Sequence, residues 1–371
     1  MRPPDICYLT EIYFGRGAVA RVSELLARFG VSKPLLVTDA KLVALGMAGR
    51  LGVADVFDGT ETNPSEASLW RCLALYRGRG CDGIVAFGGG APLDLAKLVA
   101  MMAVHEPPLA QYAILHGGTG RIGPGAPPLV AVPTTAGSGS EVGRAALLRL
   151  AGGRKLGFLS PHLLPRAAVC DPELTLSLPP ALTAATGMDA LSHCVETYCS
   201  TRSNAVADAI ALEGLARGWR AIRGAHADGA DLAAREQMMY CSLMGGLAFQ
   251  KGLGAVHSLS HPLGGLAEPS LHHGTLNGLF LPPVLRFNAP ACPEKMHALA
   301  RAMGVASGRE VPGAFEALLH DLGLPRRLRE LGVAERSLGP LAAQAAEDHC
   351  SATNPRRFDE AAARRLYAEA W

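Results

Sequence analysis

Charged and aromatic residues are scarce in this sequence, where they account for 18% and 5% of 371 positions. The formal net charge is only +2, and no basic tract or basic–aromatic platform favours a nucleic-acid partner. No apolar run reaches the roughly 18 residues of a membrane-spanning helix, and the start, MRPPDICYLTEIYFG, lacks the apolar segment of a signal peptide. We therefore expect a cytoplasmic protein that binds neither nucleic acid nor membranes.

The nine cysteines form no CxxC pair and are scattered along the chain. A chain of this size does not need a disulfide framework, so we predict reduced thiols. Its 49% hydrophobic content is typical of a well-packed globular protein. The length favours two domains.

The first half of the chain alternates short apolar runs with helical patterns, which indicates a parallel sheet covered on both faces. Strands are predicted over 33–40, 54–60, 81–91 and at the start of 128–142, with further strands beginning at 154 and 167, and helices over 66–79 and 92–104. Beyond residue 178 the sequence is rich in Ala and Leu at helical spacing. Helices are predicted there over 205–222, 232–249, 293–303, 313–320 and 359–371. The sequence therefore predicts an α/β domain over 1–178 and an all-α domain over 179–371.

Two glycine-rich loops follow predicted strands. Gly88, Gly89 and Gly90 precede a helix whose first turn contains Asp94, and TTAGSGS follows the strand that begins at 128. Ligands of open α/β sheets bind at the carboxyl ends of the strands, so both loops favour one nucleotide. Asp39 ends an earlier strand and would favour NAD over NADP by binding the ribose hydroxyls. Plain tight turns and a simple helix cap are the alternatives.

Histidines cluster between residues 251 and 274, where four of the twelve occur. His257 and His261 are four residues apart, as are Asp189 and His193 upstream, so each pair shares one helix face. One carboxylate with several imidazoles suits Fe(II), Zn or a similar metal. Packing histidines remain the alternative at this point.

These motifs together resemble the iron-containing, or group III, alcohol dehydrogenases. The motifs that carry the resemblance are GGGAPLDLAK (88–97), PTTAGSGSEV (133–142), DPEL (171–174), TGMDALSH (186–193), HSLSHPLGG (257–265) and HHGTLN (272–277). The resemblance runs from about Tyr8 to TNPR at 353–356. It implies a dehydroquinate synthase-like fold, in which an N-terminal dinucleotide-binding domain precedes a helical domain and the active site lies in the cleft between them. It also implies a homodimer or a larger homo-oligomer.

The resemblance further assigns roles to individual residues. It places the metal on Asp189, His193, His257 and His273, and His261 beside the nicotinamide. The NAD contacts that it implies are Asp39, Gly88, Gly89, Gly90, Asp94, Lys97, Thr134, Thr135, Ser138 and Lys155. Ala91 replaces the usual serine of the phosphate loop. His272 adjoins His273, and His273 is preferred as a ligand because it directly precedes Gly274.

Within the family, QKGLG (250–254), RKLGF (154–158) and HHGTLN look most like 4-hydroxybutyrate dehydrogenases. The expected substrate is therefore a small anionic alcohol or its aldehyde, with NAD and a divalent metal, Fe(II) in preference to Zn, as cofactors. Lys251 is a candidate to bind the carboxylate at the far end of the substrate, and Arg144 is a weaker candidate. The alternative is that Lys251 is a solvated surface residue. Alternative functions are reduction of phosphonoacetaldehyde or another short aldehyde, maleylacetate reduction, and nucleotide binding without catalysis.

Overall fold

The computed structural model describes residues 8 and 10–371 of the chain. The chain divides into two compact units. One contains the chain up to Thr135 together with Ser140–Thr175, and the other contains Ala136–Gly139 together with Leu176–Trp371. We call them the α/β unit and the helical unit. The boundary predicted at residue 178, and the separate functions predicted for the two halves, stay predictions.

A six-stranded parallel sheet forms the centre of the α/β unit, with strand order β1-β8-β5-β4-β2-β3. Its strands are β1 (Glu11–Phe14), β2 (Pro34–Val37), β3 (Asp55–Phe57), β4 (Gly83–Gly88), β5 (Leu129–Pro133) and β8 (Ala167–Cys170). The helices of this unit are α1 (Val22–Arg28), α2 (Ala40–Ala44), α3 (Glu66–Arg79) and α4 (Gly90–Met102). Strand β1 was not among the predicted strands, whereas α3 has the predicted bounds.

Alternate residues of the central strands enter two separate hydrophobic clusters. Leu35 and Ile84 belong to one cluster, and Leu36 and Val85 belong to the other. All four are fully buried. Since successive side chains of a strand point to opposite faces, both faces of the sheet are covered. This explains why the strands are continuous apolar runs rather than alternating ones.

A separate antiparallel hairpin holds the strand predicted near residue 154. It consists of β6 (Ala145–Arg149) and β7 (Lys155–Leu159). The two strands alternate half-buried and buried residues, as expected for a hairpin that is covered on one face only. Beyond the small-residue loop the sequence left a helix or a strand open, and the structure has the strand β6 there.

Nine α-helices are found between residues 176 and 371. They are α5 (Pro180–Cys199), α6 (Ala205–Ala227), α7 (Leu232–Ala248), α8 (Ala255–Gly264), α9 (His273–Asn288), α10 (Pro293–Met303), α11 (Val311–Asp321), α12 (Leu338–Glu347) and α13 (Glu360–Ala370). In the described part of the chain no helix is long and apolar enough to cross a membrane. The parallel sheet followed by helices confirms the predicted fold class, α/β plus all-α.

Candidate active site

Three helices of the helical unit carry the residues predicted to bind a metal. Asp189 and His193 lie on α5, His257 lies on α8, and His273 is the first residue of α9. The side chains of the first three are at most 7% exposed, whereas that of His273 is 27% exposed. The i,i+4 spacing on α5 places two of these side chains on the same helix face.

The three imidazoles surround the carboxylate of Asp189. The Nε2 atoms of His193 and His257 are each 3.9 Å from Asp189 Oδ1, and that of His273 is 3.8 Å from the same oxygen. Two atoms bound at about 2.1 Å to one ion are themselves about 3–4 Å apart. The ligand atoms of Asp189, His257 and His273 also lie within 4.8 Å of one another, so these three could hold one metal ion, and they are donors that both Fe(II) and Zn accept.

The remaining imidazole nitrogens of two candidate ligands have acceptors of their own. His257 Nδ1 lies 2.6 Å from Glu196 Oε2, and His193 Nδ1 lies 3.2 Å from the Gly137 carbonyl oxygen. A proton on each Nδ1 leaves the Nε2 lone pair for a metal. Burial lowers the pKa of His193 to about 4, so this ring is neutral at physiological pH. Burial has the largest single effect on His257 and lowers its pKa, but the hydrogen bond and charge of Glu196, together with the charges of Asp189 and Asp348, outweigh it, so the pKa is raised.

Asn277 is a member of this cluster that the sequence reasoning missed. Its Nδ2 lies 2.7 Å from Asp189 Oδ1 and 3.1 Å from the Nε2 atoms of both His257 and His273. Its buried Oδ1 has no hydrogen-bond partner. The signal was present, because Asn277 is four residues after His273 on α9 and therefore shares its face.

His261, predicted to lie beside the nicotinamide, is on the same helix as His257, and the two rings are 5.8 Å apart. Its Nδ1 lies 2.9 Å from Asp348 Oδ2, and its ring stacks on those of His273 and His349 with centroids 5.5 and 5.9 Å away. Burial lowers the pKa of His261, although Asp348 opposes this shift. The imidazole therefore has a fixed orientation and can accept a proton on Nε2.

His272 caps a helix. Its Nδ1 accepts a hydrogen bond of 3.4 Å from the backbone N–H of Thr275, at the start of α9. The next residue, His273, is the one whose Nε2 faces Asp189. This geometry supports the preference for His273 over His272 as the fourth ligand.

The predicted phosphate loop, Gly88–Gly90, lies where β4 ends and α4 begins. Gly88 has a φ of +148°, and a Cβ there would lie 2.7 Å from Pro92. Gly89 is the N-cap of α4 and supplies no side-chain cap. The first N–H groups of a thirteen-residue helix are thus available to an anion. Of the second loop, Thr134 and Thr135 belong to the α/β unit and Ser138 to the helical unit.

Two residues predicted to contact the cofactor, Asp94 and Lys97, belong to a buried polar network, and their cofactor contacts stay a prediction. Lys97 Nζ donates to Ser140 Oγ and to the carbonyl oxygens of Gly143 and Ala145, at 2.8–2.9 Å. Asp94 accepts hydrogen bonds from Ser140 Oγ at 2.6 Å and from the Leu147 N–H at 2.9 Å. Burial lowers the pKa of Lys97 to about 8 and raises that of Asp94. In this structure both side chains hold the segment that leads into β6.

Glu141 is a third buried charge near this network. Burial raises its pKa from 4.5 to about 7, although Lys97 opposes the shift. The folded state therefore holds a proton that the unfolded chain releases between pH 4.5 and 7, so the ionised side chain destabilises the fold as the pH rises through this window. Glu141→Gln should raise the free energy of unfolding at pH 8 by at most about 3 kcal/mol, at about 1.4 kcal/mol per pKa unit, and should therefore raise the Tm at pH 8 and change it little at pH 4.5. Thermal unfolding against pH measures this, with the exposed Glu24→Gln as the matched control.

Four other predicted residues lie outside the histidine cluster. Asp39 caps α2, since its Oδ1 accepts from two backbone N–H groups at 3.0 Å. Lys155 Nζ donates to Asn63 Oδ1 at 3.1 Å. Arg144 is half-buried and directly precedes β6 in the α/β unit. The fourth residue is Lys251, at the end of the short helical turn Phe249–Lys251.

Lys251, which was predicted to bind the carboxylate of the substrate, is buried against other residues of the helical unit. Its side chain is 1% exposed, its Nζ is ion-paired with Asp208, and it donates a 3.2 Å hydrogen bond to the Tyr198 carbonyl. Tyr198 is nine residues beyond Asp189 on α5, a distance of about 13 Å along the helix axis at 1.5 Å per residue. The ammonium group is thus held at the far end of α5 by Asp208 and Tyr198, and its predicted role in substrate binding stays a prediction.

Comparison with known proteins identifies the family of the chain. The model described as "Iron-containing alcohol dehydrogenase" matches residues 10–172, and the one described as "Fe-containing alcohol dehydrogenase family, C-terminal" matches residues 183–371. The chain is 51% identical to 4-hydroxybutyrate dehydrogenase from Cupriavidus necator, over 97% of this chain and 98% of that protein.

Solved structures agree with this assignment. The crystal structure of 1,3-propanediol oxidoreductase is 37% identical and superposes with a TM-score of 0.90, covering 100% of both chains. Sulfoacetaldehyde reductase from Bifidobacterium kashiwanohense, solved with NAD+, is 28% identical with a TM-score of 0.89, covering 100% of this chain and 99% of that one. The chain therefore belongs to the iron-containing alcohol dehydrogenase family, which confirms the family predicted from its motifs.

Proposed function

We propose that this enzyme is a metal- and NAD-dependent dehydrogenase that interconverts 4-hydroxybutyrate and succinate semialdehyde. The observation that carries the proposal is the convergence of three imidazole nitrogens on Asp189 Oδ1 at 3.8–3.9 Å. The choice of substrate is supported by the 51% identity to a 4-hydroxybutyrate dehydrogenase over nearly the whole chain.

In this proposal Asp189, His193, His257 and His273 hold the metal, for which the family favours Fe(II). A divalent ion bound there supplies Lewis-acid polarisation of the substrate oxygen. His261, oriented by Asp348, accepts the hydroxyl proton on Nε2 and passes it toward solvent. Bound NAD+ would supply the hydride acceptor for the carbinol carbon, and the products would be the aldehyde, NADH and one proton.

The α/β unit supplies the dinucleotide site in this proposal. The N–H groups at the start of α4 would bind the pyrophosphate, because a helix N-terminus attracts anions and Gly88 and Gly89 let the backbone approach closely. Asp39 follows β2, where an acidic residue accepts hydrogen bonds from the adenosine ribose. Both positions lie at the carboxyl ends of neighbouring parallel strands, β4 and β2.

A matched pair of aldehydes tests the substrate. Succinate semialdehyde and butyraldehyde have the same chain length and differ in the terminal carboxylate. A hydrogen bond to a charged group contributes about 1.5–3 kcal/mol, so kcat/KM should be about 10–100-fold higher for the semialdehyde. NADH consumption with the Fe(II)-loaded enzyme measures the ratio.

Other outcomes of this test discriminate the alternatives. Equal rates would reject an anionic substrate and favour a short neutral alcohol. A higher kcat/KM for phosphonoacetaldehyde or maleylacetate would favour the corresponding reductase. NAD binding without turnover of any of these substrates would support nucleotide binding without catalysis.

We also infer that the enzyme acts in the cytoplasm as a homo-oligomer. The eight cysteines of the described chain are free and buried, which suits a reducing compartment. The oligomer follows from the family resemblance, and light scattering of the purified protein measures it. A monomeric mass would reject this inference.

A further inference from the structure

Helix α8, which carries His257 and His261, begins without a cap of its own. Its N-cap is Gly254, which has no side chain to accept from the first N–H groups. Two distant residues supply the acceptors instead. Asn354 Oδ1 accepts from the Ala255 N–H at 3.1 Å, and Glu196 accepts from the next two N–H groups, at 2.7 and 3.3 Å.

The same carboxylate also contacts a candidate metal ligand. Glu196 Oε2 lies 2.6 Å from His257 Nδ1, so one side chain of α5 binds both the first turn of α8 and the imidazole that projects from it. The Glu196 side chain is 4% exposed. Among the described residues its one ion-pair partner is His257, and no lysine or arginine neutralises it.

The residue at position 254 is adapted to this contact. A Cβ on Gly254 would lie 2.8 Å from Glu196 Oε1 and 2.7 Å from Asn354 Oδ1, which is too close for either oxygen to keep its place. Glycine therefore leaves the space through which both side chains reach the end of α8. The absence of a side chain at position 254 thus allows the buried Glu196 carboxylate to cap α8.

We propose that Glu196 is a positioning residue that sets the affinity of this site for its metal. This inference rests on the proposed metal-dependent function. The carboxylate can only accept hydrogen bonds, so it keeps the proton of His257 on Nδ1 and the Nε2 lone pair directed at Asp189 and the ion. Its negative charge also offsets part of the charge of a divalent cation. By holding the first turn of α8, it fixes the direction in which His257 projects.

Glu196→Gln is the direct test, because it keeps the size of the side chain and changes its hydrogen-bonding character. The amide can present its NH2 group to His257 Nδ1, which would move the imidazole proton to Nε2 and block the ligating nitrogen. We expect metal affinity to fall about 10–100-fold. The full-length protein, stripped of metal, is titrated with Co²⁺ against a chelator, and the visible absorption of bound Co²⁺ reports the ligand geometry.

Asn354→Ala is the matched control. It removes the other cap of α8 and leaves the His257 side chain untouched, so it should lower the Tm while the Co²⁺ affinity and spectrum stay as in the wild type. Gly254→Ala is a second probe that displaces Glu196 without altering its charge, and it should weaken Co²⁺ binding in the same direction. Circular dichroism establishes that each variant is folded.

The outcomes separate this inference from the proposed function. Wild-type affinity and an unchanged Co²⁺ spectrum in folded Glu196→Gln would overturn the role of Glu196 and leave the metal site standing. Equal losses in Glu196→Gln and Asn354→Ala would also overturn it, since capping alone would then explain the effect. If the wild-type chain binds no divalent metal, the proposed function fails and this inference fails with it.

Discussion

His257→Ala is expected to abolish stoichiometric metal binding and to lower kcat/KM by about 10³-fold or more. His257 Nε2 is one of three imidazole nitrogens at 3.8–3.9 Å from Asp189 Oδ1, and its ring is 2% exposed. Alanine removes that ligand and leaves Glu196 without its ion-pair partner. Lewis-acid stabilisation is worth several kcal/mol, and each 1.36 kcal/mol corresponds to about a factor of ten in rate.

Elemental analysis and steady-state kinetics on the same preparation measure this loss. His320→Ala is the control, because its side chain is 73% exposed and outside the cluster. It should keep wild-type metal content and turnover. A His257→Ala enzyme with one metal ion per chain and full turnover would show that the histidine cluster is not the catalytic centre.

Local patterns were sufficient to select the residues of the candidate metal cluster. The i,i+4 pairs on α5 and α8 follow from the helical repeat alone, so Asp189, His193, His257 and His261 could be selected before their helices were seen. Asp348 could not be found in this way. It lies 87 residues beyond His261 and contacts it through the fold, and no pattern within either helix links two such segments.

Lys251 illustrates where proximity in sequence misleads. It precedes His257 by six residues, which suggested a place near the metal. Gly252, with a φ of +110°, and Gly254, the N-cap residue of α8, lie between Lys251 and His257, and the chain changes direction there. The lysine side chain consequently lies against Tyr198 and Asp208 at the end of α5. A separation of six residues predicts neither the direction of a side chain nor its ion-pair partner.

The Asp94–Lys97 pair shows a similar limit. Both residues occur in the first turns of α4, where the phosphate-loop motif predicts cofactor contacts. Their hydrogen bonds instead reach Ser140, Gly143 and Leu147, about fifty residues later in the chain. A motif indicates which residue types occur at a site, and the packing of distant segments decides which of them can contact a ligand.

Asp348→Asn is expected to separate catalysis from metal binding. Asp348 Oδ1 accepts from the Cys350 N–H at 2.9 Å, and Oδ2 lies 2.9 Å from His261 Nδ1. In the variant the amide oxygen can keep the Cys350 contact, and the NH2 group then faces the His261 nitrogen that the carboxylate bound. The NH2 group can donate to this nitrogen, which would move the imidazole proton to Nε2, the atom that accepts the substrate proton, and the charge that stabilises the protonated ring is lost. We expect kcat/KM to fall by about 10²–10⁴-fold, the usual contribution of general acid–base catalysis.

Metal content and the pH profile distinguish this effect from a structural one. Asp348 has no hydrogen bond to Asp189, His193, His257 or His273 among its described contacts, so the variant should keep its metal. Asp348 opposes the lowering of the His261 pKa by burial. Without it that pKa falls further, and the acidic limb of kcat/KM for alcohol oxidation should move to lower pH. Glu347→Gln, the same change at the exposed neighbouring carboxylate, should leave the limb in place. If the acidic limb of kcat/KM in Asp348→Asn stays at the same pH as in the wild type, His261 is not the group that accepts the substrate proton.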